Sequence, residues 1–190
     1  MIIGLTGNIG SGKSLVAEYF KTKFNAEEYI LSTPIKEIAI IIGFSRKNVY
    51  GTQEDKEKID PILGISVREF LQQFGTTIGR NMFSKIFPNM NLGYYKNIWL
   101  QMFINYYEKF PKNKLIVVSD VRFLDEFDYI KKKQGTIIKI NRNINKCCHQ
   151  SETELEYISP DYTVYNDGSQ NDLFNKIDYI FSYINMSRLS

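Results

Sequence analysis

The stretch Gly7-Asn8-Ile9-Gly10-Ser11-Gly12-Lys13-Ser14 combines three glycines, a lysine and a hydroxyl in a spacing that suits a polyphosphate cradle. Three glycines let the backbone turn tightly, so that successive N–H groups aim at one anion, and a helix beginning near Lys13 adds the positive end of its dipole. A lysine at this position reaches the β- and γ-phosphates of a bound nucleotide, and the Ser14 hydroxyl sits on its magnesium ion. The bland alternative is a strand-to-helix turn that binds nothing, which leaves the Lys-Ser pair unexplained.

A second chemical signal is Leu115-Ile116-Val117-Val118-Ser119-Asp120, a continuous apolar run closing on a carboxylate. An ionised carboxylate at the end of a buried strand is costly unless it meets a cation or donors. Beside a phosphate cradle, Asp120 is expected to hold magnesium, directly or through water; a helix-capping aspartate is the alternative. Ligands of a parallel sheet collect at the carboxyl ends of its strands, which directs attention to Gly7, Ser32-Thr33, Asp120, Arg142 and Asn166. Arg122 and Arg142 follow strand ends, and the guanidinium fork suits bidentate phosphate binding. Either arginine alone is equally consistent with a surface ion pair.

The elements that must position these residues follow from the apolar pattern. A strand is expected over 1–6, then a helix over 14–24 with Leu15, Val16, Tyr19 and Phe20 on its apolar face. A strand over 28–31 leads to a helix over 35–42, with Ser32 or Thr33 as its cap and Pro34 in its first turn. Residues 44–64 are polar and read as a mobile loop or short helix. Ser66 caps a helix that Gly75 is expected to interrupt, and a further helix spans 94–110 before Pro111. Strands over 115–120, 136–140 and 162–165 then alternate with helices over 123–134 and 172–186, with 141–161 as a lid or loop and a turn at Asn166-Asp167-Gly168. Strands separated by helices imply a five-stranded parallel sheet covered on both faces, an α/β fold.

Bulk properties exclude several classes. With 190 residues, 43% hydrophobic and 24% charged, the chain is expected to be one globular domain, 1–190. Lys and Arg number 24 against 21 Asp and Glu, and a net charge of +3 is too small to argue for nucleic-acid binding. The basic run Lys131-Lys132-Lys133, with Lys139, Arg142 and Lys146, reads as a solvated helix end plus groups serving a small phosphorylated ligand. Cys147 and Cys148 are adjacent, which strains a mutual disulfide and implies a reducing compartment. With His149 they sit at consecutive positions, without zinc-cluster spacing. No apolar run approaches the roughly 18 residues of a membrane span, and no secretory leader is apparent. A soluble, cytoplasmic protein without membrane or nucleic-acid partners is expected, with a homodimer plausible on base rates.

The opening Gly4-Leu5-Thr6 followed by the glycine turn resembles both dephospho-coenzyme A kinase and the deoxynucleoside monophosphate kinases of bacteriophages and large DNA viruses. Later segments are similar to the viral type: Thr33-Pro34-Ile35-Lys36-Glu37-Ile38, Leu63-Gly64, Arg68-Glu69-Phe70-Leu71-Gln72-Gln73-Phe74-Gly75-Thr76 with Arg80, and Asn97-Ile98-Trp99. Ser119-Asp120-Val121-Arg122-Phe123 with Glu126, His149-Gln150-Ser151-Glu152 and Asn166-Asp167-Gly168 continue that likeness along nearly the whole chain. The Asp-x-Asp expected of a dephospho-coenzyme A kinase near the second strand end is missing, since Leu31-Ser32-Thr33-Pro34 stands there.

The resemblance implies a three-layer P-loop fold with a helical monophosphate-binding region over 35–110 and a lid over 141–161. It implies transfer of the γ-phosphate of ATP to a deoxynucleoside monophosphate. By that likeness Gly7, Asn8, Gly10, Ser11, Gly12, Lys13 and Ser14 contact ATP, with Asn166, Asp167 and Gly168 lining its adenine pocket. Ser14 and Asp120 hold Mg2+, and Lys13, Asp120, Arg122 and Arg142 serve the transfer. Lys36, Arg68, Gln72, Thr76, Arg80, Arg122 and Glu152 are its candidates for the acceptor, with Arg142 and the 149–152 segment in the lid. Gln72 or Gln73 could pair with a base edge, and Phe74 or Trp99 could stack on it, although Trp99 is more often core. The rival readings are a dephospho-coenzyme A kinase and a P-loop ATPase coupled to a partner. A viral origin would place the chain in the host cytoplasm.

Overall fold

The computed structural model describes residues 1–142, 157 and 159–187. Along them run β1 (Ile2–Thr6), α1 (Lys13–Phe24), β2 (Glu27–Tyr29), α2 (Thr33–Ile41), α3 (Arg46–Tyr50) and α4 (Gln53–Glu57). Then come α5 (Val67–Gln72), a π-helix (Gln73–Met82), α6 (Phe83–Ile86) and α7 (Ile98–Lys109). The chain continues through β3 (Ile116–Val118), α8 (Leu124–Lys132), β4 (Thr136–Asn141), β5 (Tyr162–Tyr165) and α9 (Gln170–Met186). These elements form two compact units, Met1–Ile30 with Phe110–Ser190, and Leu31–Lys109.

The first unit is built on a five-stranded sheet of order β2-β3-β1-β4-β5, and every neighbouring pair is parallel. β1 is central and buried at all five positions, as expected for a strand covered on both faces. On one face Ile3, Leu5, Val117, Ile138, Ile140 and Val164 meet Val16, Ala17 and Phe20 of α1 and Leu173, Ile177, Ile180 and Ile184 of α9. The 3–4 residue spacing of those four α9 positions makes one helical stripe. Tyr19 stacks on Phe174 at 3.9 Å between ring centroids and donates to Asp178 at 2.9 Å, which fixes the two helices in register. On the reverse face a Cβ at Gly4 would come within 2.6 Å of Ile137 on the neighbouring β4 and 3.0 Å of Ile130 on α8. Leu15, expected on the buried face of α1, is instead exposed.

The strand ends are shorter than the sequence pattern suggests: β2 stops at Tyr29 and β3 at Val118, so Leu31 and Asp120 lie beyond the ladder. Ser32 takes the N-cap position of α2 without a capping hydrogen bond from its side chain.

The second unit departs further. The polar stretch expected as a loop contains α3 and α4, each capped by a hydroxyl: Ser45 accepts from Asn48 N–H, and Thr52 from Asp55 N–H. Asp55 closes that box, and the Lys58 ammonium, then the Thr52 N–H and hydroxyl, hold its carboxyl down to about 2. Gly75 does not interrupt the helix begun at Val67; the chain widens into a π-helix instead. The cause is Trp99, 6% exposed, whose Nε1 donates to the Gly75 carbonyl at 2.8 Å. At Gly79 an added Cβ would run into the indole, so that glycine makes room for the ring, whereas a Cβ at Gly75 would meet Ile35. The helix expected from residue 94 begins only at Ile98, because the Asn97 side chain accepts from the N–H groups of Trp99 and Leu100 at 3.0 and 3.4 Å. Ala39, Phe44, Val49 and Val67 form one core cluster of this unit, and Trp99, Leu100 and Phe103 of α7 are buried as well. No helix among the described residues is long and apolar enough to cross a membrane.

Candidate active site

The glycine turn leaves the carboxyl end of β1 and enters α1. Gly7, Gly10 and Gly12 have φ of 132°, 78° and 108°, a region that side chains disfavour, so the turn depends on glycine at these positions. At Gly7 an added Cβ would also collide with the Ile140 carbonyl. Lys13 is 8% exposed, and its ammonium donates to the carbonyls of Gly7 at 2.6 Å and Asn8 at 2.8 Å, curling over the loop. Thr6 Oγ1 and Ser11 Oγ are buried without a hydrogen-bond partner among the described residues. Ser14 is exposed at the first turn of α1.

Neighbouring strands bring the other candidates to the same edge of the sheet. Asp120, half-buried, follows β3; Arg142, exposed, follows β4; Asn166, half-buried, follows β5. Arg122 is shaped by Glu126, 3% exposed, whose carboxylate accepts from the backbone N–H groups of Arg122 at 2.7 Å and Phe123 at 3.2 Å. Glu126 therefore fixes the backbone between Asp120 and α8. Asn166 donates from its side chain to the Ser11 carbonyl at 2.8 Å, a contact between residues 155 positions apart. Asp167 and Gly168 are exposed and lead into the Ser169–Asp172 capping box of α9.

The second unit holds the other group of expected contacts. Lys36 Nζ lies 5.3 Å from the centre of the Tyr50 ring, whose hydroxyl donates to Glu37 at 2.6 Å. Arg68 donates to Gln53 Oε1. Between them sits a residue that the sequence reading misses: Lys56, half-buried, donating to the Gly51 carbonyl at 2.6 Å. Burial, then the positive charges of Lys36 and Arg68, hold its ammonium below the ordinary lysine value, with Asp55 opposing. Three cations on three helices thus converge where no periodicity announces them. Gln72 is half-buried, Thr76 is 9% exposed and Arg80 is half-buried, along α5 and the π-helix. Gln73 is exposed and accepts from Thr77 at 3.0 Å, leaving Gln72 the better placed of the two amides. Trp99 is core, in contact with Phe74 at 6.0 Å between centroids. Glu152, with Lys146, Cys147, Cys148, His149 and most of the expected lid, lies outside the described residues.

A glycine turn after the central strand of a parallel β2-β3-β1-β4-β5 sheet, with a buried lysine opening the next helix, defines a P-loop α/β fold. The crystal structure of shikimate kinase from Aquifex aeolicus shares it, with a TM-score of 0.54 over 98% of this chain and 99% of that one, at 16% identity. Residues 45–177 match the family model described as deoxynucleotide monophosphate kinase. A protein of Acanthamoeba polyphaga mimivirus, provisionally named a deoxynucleotide monophosphate kinase, is 35% identical over 185 residues, covering 93% of this chain and 94% of its own. The chain belongs to the deoxynucleotide monophosphate kinase family and is a nucleotide kinase. A dephospho-CoA kinase of Ehrlichia chaffeensis is 77% identical over only 26 residues, 14% of this chain.

Proposed function

We propose that the chain transfers the γ-phosphate of ATP to a deoxynucleoside monophosphate, giving ADP and the diphosphate. The observation that carries this reading is the Lys13-capped glycine turn in a chain of this family. ATP is bound by Gly7, Asn8, Gly10, Ser11, Gly12, Lys13 and Ser14, and Lys13 exchanges its loop carbonyls for phosphate oxygens. Phosphoryl transfer needs in-line positioning and a positive cage rather than covalent help, and Lys13, Arg122 and Arg142 supply the positive charge.

Magnesium suits the donors present. Ser14 offers a hydroxyl and Asp120 a carboxylate, both hard oxygen ligands. Among the described residues no group of three or more His, Cys, Asp or Glu could form a protein-only cage. Such a pair fits an ion whose remaining ligands are phosphate and water. Ser14 and Asp120 would hold such an ion, which would supply positive charge against the phosphates.

The unit Leu31–Lys109 takes the acceptor: Lys36, Lys56 and Arg68 bind its phosphate, while Gln72, Thr76 and Arg80 face its sugar and base. Lys56→Gln is expected to raise the acceptor KM about ten-fold with little change in the ATP KM, the size of one charge-assisted hydrogen bond. Because Lys56 loses its proton below the ordinary lysine value of 10.5, wild-type acceptor binding weakens as pH rises toward that value. The Lys56→Gln profile is flatter over that window; an identical pH profile in both proteins would remove Lys56 from the site.

The test is ADP release from ATP and magnesium against dTMP, dGMP, dCMP, dAMP, their ribose counterparts, dephospho-coenzyme A and no acceptor. Turnover with one or more deoxynucleotides well above the acceptor-free rate is expected. Turnover only with dephospho-coenzyme A, or equal release in every well, overturns the reading.

A further inference from the structure

Asn166 follows the edge strand β5, yet its side chain is fixed to a loop that follows β1, with β4 lying between the two. Its backbone N–H donates to the Asn141 carbonyl at 2.7 Å, where β4 ends, and its side-chain amide donates to the Ser11 carbonyl at 2.8 Å. Gly12 accommodates that amide: an added Cβ there would approach Asn166 Nδ2 to 2.5 Å. Three strand ends are therefore braced through one residue.

Among the described residues the loop has few ties of its own. Ser11 N–H reaches the Asn8 carbonyl at 3.2 Å, and the buried Ser11 hydroxyl has no partner among the described residues. Lys13 grips the Gly7 and Asn8 carbonyls, but an incoming polyphosphate competes for that ammonium. The Asn166 contact does not compete with phosphate, because it is made to a carbonyl. In a trans peptide the Gly12 N–H points opposite to the Ser11 carbonyl. Holding that carbonyl therefore directs the Gly12 N–H away from Asn166.

We infer that Asn166 is a positioning residue that holds the Ser11–Gly12 peptide in its phosphate-binding orientation, acting through the loop rather than on the base. This rests on the phosphate-loop reading above. Its test is equilibrium titration of Asn166→Ala and Asn166→Asp with two probes, MgATP and inorganic tripolyphosphate, well below each variant's melting temperature.

Asn166→Ala is expected to lose about three- to ten-fold in affinity for both probes alike, the effect of one neutral hydrogen bond. Asn166→Asp should lose more, since it sets a carboxylate against the Ser11 carbonyl and adds negative charge beside the phosphates. Should Asn166→Asp fail to fold, Asn166→Ser, whose hydroxyl is too short for the contact, should match the alanine variant. Affinity lost for MgATP but kept for tripolyphosphate overturns the inference in favour of a base contact. Unchanged affinity for both overturns it outright. A wild-type chain that binds neither probe overturns the phosphate-loop reading, and the inference with it.

Discussion

Lys13→Ala is expected to turn over at least about 100-fold more slowly than the wild-type chain, the typical effect of losing one preorganised group that meets developing charge. The ammonium already lies over the glycine turn, where it trades the Gly7 and Asn8 carbonyls for phosphate oxygens. Its removal also strips the Gly7 carbonyl of a donor, at about 1–3 kcal/mol where that oxygen stays buried and unpaired, while the Asn8 carbonyl keeps the Ser11 N–H. Steady-state ADP release and a thermal melt, taken on the same preparation, separate the two effects. A lower melting temperature with near-normal turnover would remove Lys13 from the transfer step. A 100-fold loss with a folded protein is the result that the cradle requires.

Gly79→Ala carries the largest expected effect on stability. Its Cβ would occupy the Trp99 indole, and that ring cannot step aside, being 6% exposed and hydrogen-bonded to Gly75. Either the indole gives up its bond or the π-helix shifts. Overpacking of this kind typically costs about 1–3 kcal/mol, and the lost buried hydrogen bond adds about as much. At about 2–4 °C per kcal/mol for a chain of this size, a fall of roughly 5–20 °C in Tm is expected. Thr76 and Arg80 ride on the same helix, so the acceptor KM should rise while the ATP KM holds. A wild-type melting temperature in this variant would show that the ring and the helix do not meet as described.

These two sites also mark how far the sequence carries. The Lys13 cradle is legible because its parts are contiguous: glycines, lysine and hydroxyl occupy eight positions, and their chemistry survives without knowledge of the fold. The sheet is legible for a similar reason, since runs such as Ile116-Val117-Val118 announce buried strands by composition. Gly75 misleads, because glycine in a helix is unfavourable locally and reads as an end. Only the indole of Trp99, 24 positions later, explains why the chain continues and widens there. Lys56 is hidden for the same kind of reason. Its environment is made by burial and then by Lys36 and Arg68 on other helices, none of which leaves a periodic trace. Asn166 is legible as a residue at a strand end, but its tie to Ser11 reaches across β4 and has no sequence signature.

The register that pairs Ile2 with Ile116 has a consequence for biosynthesis. A ribosome adding about 5–20 residues per second makes Ile2, Ile3 and Leu5 roughly 5–20 s before any part of β3 exists to pair with them. Closing so long a segment is entropically slow, and parallel pairing adds to the delay. Residues 31–109, contiguous in the chain, have no such wait. A strand buried at all five of its positions is thus the one exposed longest in the nascent chain, which makes β1 the expected grip of a chaperone. Its glycine turn gains its last brace only when Asn166 has been made.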